Sequence, residues 1–220
     1  MTRGPAGRLG LRELKKQRTR QAIVDVSVRL FAQYGYAETT LVEIADAAEI
    51  SPSTFFNYFP SKLDIVFDLL DAVIASARER ILGRPNTEPA TSAILAWITE
   101  DLASVERPYT EALRTIPMIV SSDANLRSEQ RRRLALLEDV LAAAFARDLG
   151  ELSDGLRARV MSVIAMRGML DVWNSWHKQH ASDSHLDLND LLALKAEYLE
   201  RALDAGLQAI ELLPNPPEQT

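Results

Sequence analysis

The chain has 220 residues, a formal net charge of −6 and no cysteine, which excludes a disulfide framework and a thiol nucleophile. Its longest wholly apolar runs, such as residues 140–146, are far shorter than the roughly 20 residues that a membrane helix needs. The basic N-terminus is followed by no apolar segment, so we expect no secretory signal and predict a cytoplasmic location.

Charge is unevenly distributed along the chain. Residues 1–20 contain seven Lys or Arg against Glu13 alone. Residues 1–62 carry a net charge of +3. Because the whole chain has a net charge of −6, the remaining residues must carry −9. A basic end beside an acidic body would orient the molecule on a polyanion such as DNA. The alternative is that the basic run is only a solvated tail.

The N-terminal part predicts a first helix from Arg18 to Tyr34 and a second helix soon after it. Thr40 can cap the N-terminus of the second helix, and Glu43 three residues later completes a capping box. Ile50 then lies in a tight turn, where its apolar side chain would fill the space between two crossing helices. This arrangement is typical of the first half of a helix-turn-helix.

A third helix is predicted to begin after Ser51, which caps it, with Pro52 in its first position, where a missing N–H costs nothing. It runs for about two turns to Phe59 and is stopped by Pro60. Such a short helix must be held by its neighbours, so its outer face is free to contact something else.

The third helix has an apolar and a polar side. Phe55 and Phe59 lie four residues apart and are expected to face inwards. Hydrogen-bonding side chains remain outside, where they suit base edges and phosphate oxygens in a DNA major groove: Ser53, Thr54, Asn57 and Tyr58. The alternative is an ordinary helical hairpin whose polar residues face water.

Helical periodicity continues through the rest of the chain, and strand-like alternation is missing. A helix capped by Ser61 is expected from Lys62 to about Leu82, followed by a loop at residues 83–89. Further helices are predicted at residues 91–107, 111–120, 123–149, 154–180 and 188–213. Pro108 should halt the first of these, and Pro117 should kink or end the second.

The sequence therefore predicts an all-α protein with two domains. Residues 1–62 would form a basic arm and a three-helix DNA-binding domain of the helix-turn-helix type. Residues 63–220 would form a second, helical-bundle domain, and the helix at residues 62–82 would link the two.

The last two predicted helices carry more apolar surface than one core face requires. The final helix has one stripe that includes Leu192 and Leu199, and a second stripe of smaller residues that includes Gly206. Two stripes favour one face against the protein's own core and one against a second copy, in a four-helix bundle. The alternative is that both helices are central in a monomer. The interface is predicted at Met161, Met169, Trp176, Leu191, Tyr198, Ala202, Ala205 and Ala209.

Residues 12–75 resemble the TetR-type bacterial transcriptional regulators. The resemblance rests on motifs at the spacing of that family: residues 30–36, Thr39-Thr40, Ile44-Ala45, Ile50-Ser51, residues 54–59 and Ser61-Lys62. It implies a homodimer whose paired recognition helices enter successive major grooves of a palindromic operator. It also implies that residues 63–220 are a variable helical domain for effector binding and dimerisation, whose small-molecule ligand usually releases the DNA.

The resemblance also implies roles for individual residues. Thr40 would bind a phosphate at the start of the second helix, and Lys62 would clamp another. The recognition helix would contact bases and backbone through Ser51, Pro52, Ser53, Thr54, Asn57 and Tyr58. Phe56 stands at a DNA-contacting position where the family often has Tyr, so a phenolic hydroxyl is absent. Glu49 stands where the family often has Gly, and a left-handed conformation there would cost about 1 kcal/mol.

An effector pocket is predicted on helices that enclose a cavity in the resembled family. Aromatic and Met side chains with a rare cation would suit a hydrophobic ligand, including an anionic one such as an acyl thioester. The alternative is that these residues are ordinary core or surface. The candidates are Trp97, Tyr109, Arg114, Met118, Phe145, Met166, Arg167, Met169 and Trp173.

Other chemistry finds little support in the sequence. His177 and His180 are three residues apart, with Asp183 and His185 beyond them, but a solvated helix end explains them better than a zinc site. No Gly-x-Ser-x-Gly, phosphate-binding Gly-rich loop or dinucleotide fingerprint is present, so we predict no enzyme and no cofactor. We favour an effector-responsive repressor. The alternatives are a DNA-binding dimer without an effector, and an enzyme or metal sensor built on the His cluster.

Overall fold

A computed structural model describes residues 10–106, 110–179 and 188–212. Regular secondary structure in these ranges is helical, and they contain no strand, which confirms the predicted all-α class. They form two compact units. The first comprises the chain up to Asp68 together with Glu111–Ala124, and the second comprises Leu69–Thr110 together with the chain from Asn125 onwards. The division falls inside the helix that was predicted to link two domains.

The first helix of the first unit, α1, spans Leu11–Tyr34 and begins seven residues before the predicted start at Arg18. No helix breaker follows Gly10, so the polar residues at the start of α1 continue the helix without an apolar stripe. Ile23, Val24, Val28 and Phe31 are buried on its inner face. Gly35 ends the helix with φ 92° and ψ 151°, a conformation that is essentially restricted to glycine.

The helix-turn-helix consists of α2, Leu41–Ala47, and α3, Pro52–Phe56. The predicted capping box of Thr40 and Glu43 is present, and the Ser51 hydroxyl accepts a hydrogen bond from the Thr54 amide at 3.1 Å. Both predicted caps are therefore confirmed. The turn between α2 and α3 contains Glu49 at φ 55°, in the left-handed region.

The helix α3 ends three residues before the predicted end at Phe59. The Asn57 amide donates to the Thr54 carbonyl and the Tyr58 amide to the Phe55 carbonyl, so the chain tightens into a three-residue repeat after Phe56. The polypeptide remains coiled through this turn until Pro60, and the predicted stop at that proline holds.

The predicted helix at residues 62–82 is almost continuous. It consists of α4, Lys62–Val66, then α5, Asp68–Ala77, and a π-helical turn at Arg78–Leu82. Phe67 interrupts it with φ −104° and ψ 8°. Ser61 does not cap the helix, because its hydroxyl donates to the Asp64 carboxylate at 2.7 Å.

The remaining helices lie close to the predicted bounds. They are α6, Ala90–Ala96, continued by a π-helical turn at Trp97–Asp101 and by α7, Leu102–Glu106; α8, Thr110–Ser122; α9, Ala124–Leu149; α10, Leu156–Gln179; and α11, Leu188–Ile210. Pro117 does not end α8, which continues to Ser122. None of the helices in the described ranges is both long and apolar enough to cross a lipid bilayer.

The loop before α6 is fixed by a buried arginine in the second unit. The guanidinium of Arg84 donates to the carbonyls of Ile81, Glu88 and Ala144 at 2.8–3.0 Å and to the Asp148 carboxylate at 2.5 Å. Because these four hydrogen bonds use most of the guanidinium's N–H groups and one of them goes to a carboxylate, its burial is compatible with a stable fold. The predicted loop at residues 83–89 is thus ordered by side-chain contacts.

Close contact between α10 and α11 dominates the second unit. A Cβ on Gly206 would lie 2.9 Å from Ile164 Cδ1 and 3.0 Å from Met161 Sδ, so the two helices approach closely there. Gly206 therefore faces α10 of its own chain, although the sequence predicted it on the stripe facing a partner.

Four of the predicted interface residues are buried in the single chain: Met161, Met169, Trp176 and Leu191. Their side chains belong to the core of the second unit, so they cannot form the outer surface on which a partner would rest. Sequence periodicity could not distinguish the core-facing side of α10 and α11 from their partner-facing side, because both sides are apolar. Tyr198, Ala205 and Ala209 are exposed, and Ala202 is half-buried.

Replacing Glu49 by glycine should stabilise the protein. The Glu49 side chain is exposed and forms no hydrogen bond or ion pair with other described residues, so the main change is relief of the left-handed backbone strain. We expect the free energy of unfolding to rise by about 1 kcal/mol, measured by urea titration followed by circular dichroism.

The matched control is Asp46→Gly, at an exposed position within α2. Glycine is a slightly poorer helix former than Asp, so this change should lower the free energy of unfolding by roughly 0.3 kcal/mol. A Glu49→Gly protein that is no more stable than the unmodified chain would show that the turn is not strained.

Candidate nucleic-acid interface

The helix α3 has a buried back and an exposed front. The rings of Phe55 and Phe59 are completely buried, and their centres lie 6.1 Å apart. The front carries the side chains that the sequence predicted to contact DNA: Pro52, Ser53, Phe56 and Asn57 are exposed, and Thr54 and Tyr58 are half-buried. This surface therefore consists mainly of hydrogen-bonding groups on a rigidly backed helix.

Three hydroxyl groups cluster at the N-terminus of α3. Ser51 Oγ lies 2.9 Å from Ser53 Oγ and 2.8 Å from Thr54 Oγ1. Because Ser51 Oγ also accepts from the Thr54 amide, its position is fixed by the helix itself. The three hydroxyl groups therefore hold hydrogen-bond donors and acceptors in fixed positions, which contacts with phosphate oxygens or base edges require.

Thr40 directs both of its donors at a single carboxylate oxygen. Its amide and its hydroxyl donate to Glu43 Oε2 at 2.7 Å and 2.8 Å. These hydrogen bonds, the one from the amide first, hold the pKa of Glu43 below its usual value. A phosphate bound by Thr40 would therefore take the place that the Glu43 carboxylate occupies in this structure.

Lys62 is placed differently from its predicted role as a phosphate clamp. Its Nζ donates to the carbonyls of Thr39 at 2.8 Å, Tyr36 at 2.5 Å and Ala37 at 3.3 Å, and it lies 4.3 Å from the centre of the Tyr36 ring. Burial lowers the pKa of Lys62, which the nearby Glu38 and Asp123 oppose. Because its three N–H groups point at the chain, Lys62 holds the loop between α1 and α2.

Arg20 on α1 holds the C-terminal end of α3. Its Nη1 donates to the Tyr58 carbonyl at 2.6 Å, and its Nε donates to Asp68 Oδ1 at 3.0 Å. The guanidinium also lies over the Phe59 ring, 4.1 Å from the ring centre. One side chain thus joins α1, the end of α3 and the start of α5.

From the sequence alone, Arg20 belongs only to the basic arm. A signal for its actual place was present, because Arg20 precedes the buried Ile23 and Val24 by three and four residues and so lies on the inner face of α1. The partners themselves, 38 and 48 residues away, could not be identified from periodicity.

Phe56 is an apolar side chain on the exposed front of α3. It is 54% exposed, and its ring meets the Phe55 ring edge to face with the centres 5.6 Å apart. Without a hydroxyl it can offer DNA only van der Waals contact, for example with sugar atoms or a thymine methyl group.

The predicted effector residues do not share one environment. Trp97, Phe145, Met166 and Met169 are buried, and Trp173 and Arg114 are half-buried. Trp97 Nε1 donates to Ser76 Oγ at 3.1 Å, which satisfies its polar atom within the core. A shallow depression lined by Asn86, Thr87, Glu88, Pro89, Arg147 and Asp148 contains none of the predicted residues.

Two of the predicted effector residues are exposed to solvent. Met118 is 64% exposed on α8, and Arg167 is exposed and paired with Asp171 at 2.8 Å. Neither side chain points into an apolar interior, so their assignment to a pocket is corrected. Tyr109 lies outside the described residues.

The predicted histidine cluster also lies largely outside the described residues, which include the backbone of His177 but not His180, Asp183 or His185. Within the described ranges, no group of three or more His, Cys, Asp or Glu side chains is arranged to hold a metal ion.

Comparison with known proteins identifies similar sequences and folds. Residues 23–69 match the family model described as bacterial regulatory proteins, tetR family. The chain is 30% identical over 189 residues to the HTH-type transcriptional regulator TcmR of Streptomyces glaucescens, with 83% of each chain covered. It is 27% identical over 192 residues to the HTH-type transcriptional repressor KstR of Rhodococcus jostii, with 82% of each chain covered.

The fold is similar to that of a solved structure, the transcriptional regulator FadR from Bacillus subtilis in complex with stearoyl-CoA. The TM-score is 0.56 at 20% identity, with 83% of this chain and 96% of that chain covered. At this identity the likeness establishes the fold, including an N-terminal helix-turn-helix and a helical remainder.

Removing the Arg20 side chain should loosen α3. In Arg20→Met the hydrogen bonds to the Tyr58 carbonyl and the Asp68 carboxylate are lost. Hydrogen bonds of charged groups contribute about 1.5–3 kcal/mol, so we expect the free energy of unfolding to fall by about 2 kcal/mol in urea titrations. Arg20→Lys should give an intermediate loss, because a single ammonium cannot reproduce the planar fork.

Arg18→Met is the matched control, because it removes the same charge from an exposed position on the same helix. We expect a change within about 0.5 kcal/mol. Equal losses in the Arg18 and Arg20 variants would indicate that the effect comes from net charge rather than from the contacts of Arg20.

Proposed function

Because the chain belongs to the TetR family of bacterial transcriptional regulators, we propose that it is a homodimeric repressor that binds a palindromic operator and is released by a small hydrophobic effector. The observation that carries the proposal is the front of α3. It combines a Ser-capped N-terminus and exposed polar side chains with a fully buried aromatic back.

The proposed DNA contacts divide into two groups. Thr40, Ser51, Ser53, Thr54 and Tyr58 carry hydroxyl groups suited to phosphate oxygens, which position a protein on the duplex without reading its sequence. Asn57 carries an amide, which pairs well with an adenine edge in the major groove. Pro52 and Phe56 complete the surface with apolar contact.

A homodimer is supported by the exposed faces of α10 and α11. Tyr198 is 49% exposed, and its ring packs beside Gly168, where a Cβ would lie 3.3 Å from Tyr198 Cε1. Ala205 and Ala209 lie on the same face of α11, and Val163 is exposed on α10. Small residues beside an aromatic ring allow two copies of a helix pair to approach closely. These residues replace the buried ones in the predicted interface.

Release by an effector is supported by the family and by the neighbouring fold. The FadR structure of similar fold is a complex with stearoyl-CoA, so a small molecule with a long acyl chain is bound by that protein. A ligand would shift the equilibrium only by its preference for the conformation that does not bind DNA. A DNA-binding dimer without an effector remains the alternative, and it predicts that no small molecule changes operator affinity.

The described residues offer no observation in favour of an enzyme. The sequence relatives are regulators, and we propose a regulator rather than a catalyst. We propose a cytoplasmic location, because a regulator of transcription acts where the DNA lies.

Asn57→Ala should weaken specific DNA binding more than non-specific binding. The operator is first obtained by selecting bound duplexes from a random pool, and we expect near-palindromic sites. A good bidentate contact with a base contributes about 1–3 kcal/mol, and a dimer on a palindromic site loses two of them, so the affinity for the selected duplex should fall by at least about 30-fold at matched salt. Affinity for a scrambled duplex should be unchanged, as measured by fluorescence anisotropy.

Asn86→Ala is the control, since it makes the same change at an exposed loop position of the second unit. It should bind both duplexes as the unmodified protein does. Equal affinities of the Asn57→Ala and unmodified proteins for the selected duplex would remove Asn57 from the proposed contacts.

Ala205→Glu should dissociate the dimer. Two-fold symmetry would bring two copies of the new carboxylate into one apolar interface, where burying unpaired charge is strongly unfavourable. Sedimentation velocity should show a shift from dimer to monomer, with unchanged helical content by circular dichroism.

Ala193→Glu introduces the same side chain at an exposed position on the polar side of α11 and should leave the dimer intact. A dimer that survives Ala205→Glu at every concentration tested would exclude this face of α11 as the interface.

A further inference from the structure

Two opposite charges are buried together in the second unit. Glu106, the last residue of α7, and Lys195 on α11 are 5% and 6% exposed. Lys195 Nζ lies 3.3 Å from Glu106 Oε1, and it lies 5.2 Å from the centre of the Trp173 ring on α10. Three helices therefore bring a carboxylate, an ammonium and an aromatic face to one place.

The hydrogen-bonding capacity of this pair is only partly used. Glu106 Oε2 is buried and has no hydrogen-bond partner among the described residues. The contact between Lys195 and Glu106 uses one of the three N–H groups of the ammonium, and at 3.3 Å it is longer than typical charged hydrogen bonds. Burial raises the pKa of Glu106, and Lys195 opposes this effect. Buried polar atoms that lack a hydrogen-bond partner are rare in native proteins, so we look for a ligand group that would bond to them.

We propose that Glu106 and Lys195 are the polar anchor of the effector site, and that the apolar body of the effector lies against the Trp173 ring. The inference rests on the proposed function, because it names the ligand class of the effector-responsive domain. It also replaces Met118 and Arg167, which face solvent, with residues that the sequence analysis did not consider.

The unused atoms define the chemical class of the ligand. Glu106 Oε2 needs a hydrogen-bond donor, whereas the remaining N–H groups of Lys195 need an acceptor. A hydroxyl group supplies both, so the anchor favours a neutral phenol or alcohol on an apolar ring system. A carboxylate or phosphate would face the Glu106 carboxylate and offer it no proton, which argues against an anionic ligand head at this position.

The test compares three probes that share one ring system. 2-Naphthol both donates and accepts a hydrogen bond, 2-methoxynaphthalene only accepts, and 2-naphthoate is an anion. We expect the full-length protein to bind 2-naphthol at least tenfold more tightly than either of the other two, measured by isothermal titration calorimetry. Quenching of tryptophan fluorescence gives a second readout.

Glu106→Gln should reverse the preference between the neutral probes. The amide oxygen of Gln would remain beside Lys195, and its NH₂ group would occupy the place of Oε2, so the site would offer a donor where it now offers an acceptor. We therefore expect 2-methoxynaphthalene to bind as tightly as, or more tightly than, 2-naphthol. A role in folding alone would not produce this exchange.

A double variant tests the pair as a unit. In Glu106→Met/Lys195→Met both charges are replaced by apolar side chains of similar volume, a change that often preserves a fold. We expect equal binding of 2-naphthol and 2-methoxynaphthalene. The control is Glu197→Met/Arg201→Met, the corresponding change at an exposed ion pair on α11, which should keep the tenfold preference.

The outcomes separate this inference from the proposed function. Equal binding of the three probes by the unmodified protein, no binding of any of them, or a preference that persists in Glu106→Gln would overturn the anchor. The same proteins are assayed on the selected operator without probe. Operator binding that persists while the 2-naphthol preference is absent overturns only the anchor, whereas an unmodified protein that selects no duplex overturns the proposed function.

Discussion

The exposed front of α3 depends on the contacts that hold this helix from behind. A helix of five residues cannot persist in water through its own hydrogen bonds, because nucleation costs more than one turn returns. Here Phe55 and Phe59 fill the core, and Arg20 binds the Tyr58 carbonyl and covers the Phe59 ring. Because this support comes from the buried side, the exposed front of the helix can be largely polar, as the proposed DNA contacts require.

Arg20 also binds Asp68, and this second contact connects α3 to the rest of the chain. Asp68 is the first residue of α5, and Leu69, the next residue, already belongs to the second unit. The same guanidinium thus fixes the end of the recognition helix and the start of a helix that continues into the other unit. Within the first unit, one side chain therefore links the end of α3 to the first residue of α5.

Local signals in the sequence predicted the helix-turn-helix well, whereas roles that depend on distant contacts were missed. Thr40 and Ser51 act on residues three positions away, so their caps could be identified from spacing alone. Lys62 was assigned to a phosphate, but it binds carbonyls at residues 36–39, a choice that only the folded loop determines. The start of α1 was placed too late because residues 11–17 carry no apolar stripe, although nothing there prevents a helix.

The same distinction explains α11, where the sequence showed two apolar stripes but not which one faces the core. Lys195 follows Leu191 and Leu192 and precedes Leu199 at helical spacing, so it shares their buried face despite its charge. Tyr198, Ala205 and Ala209 occupy the neighbouring exposed face, where a second copy would remove apolar surface from water. In the proposed dimer, one rigid helix would then carry the effector anchor on one face and the subunit contact on the next. In that dimer, a ligand that shifts Lys195 would act on the helix that also carries the proposed subunit contact.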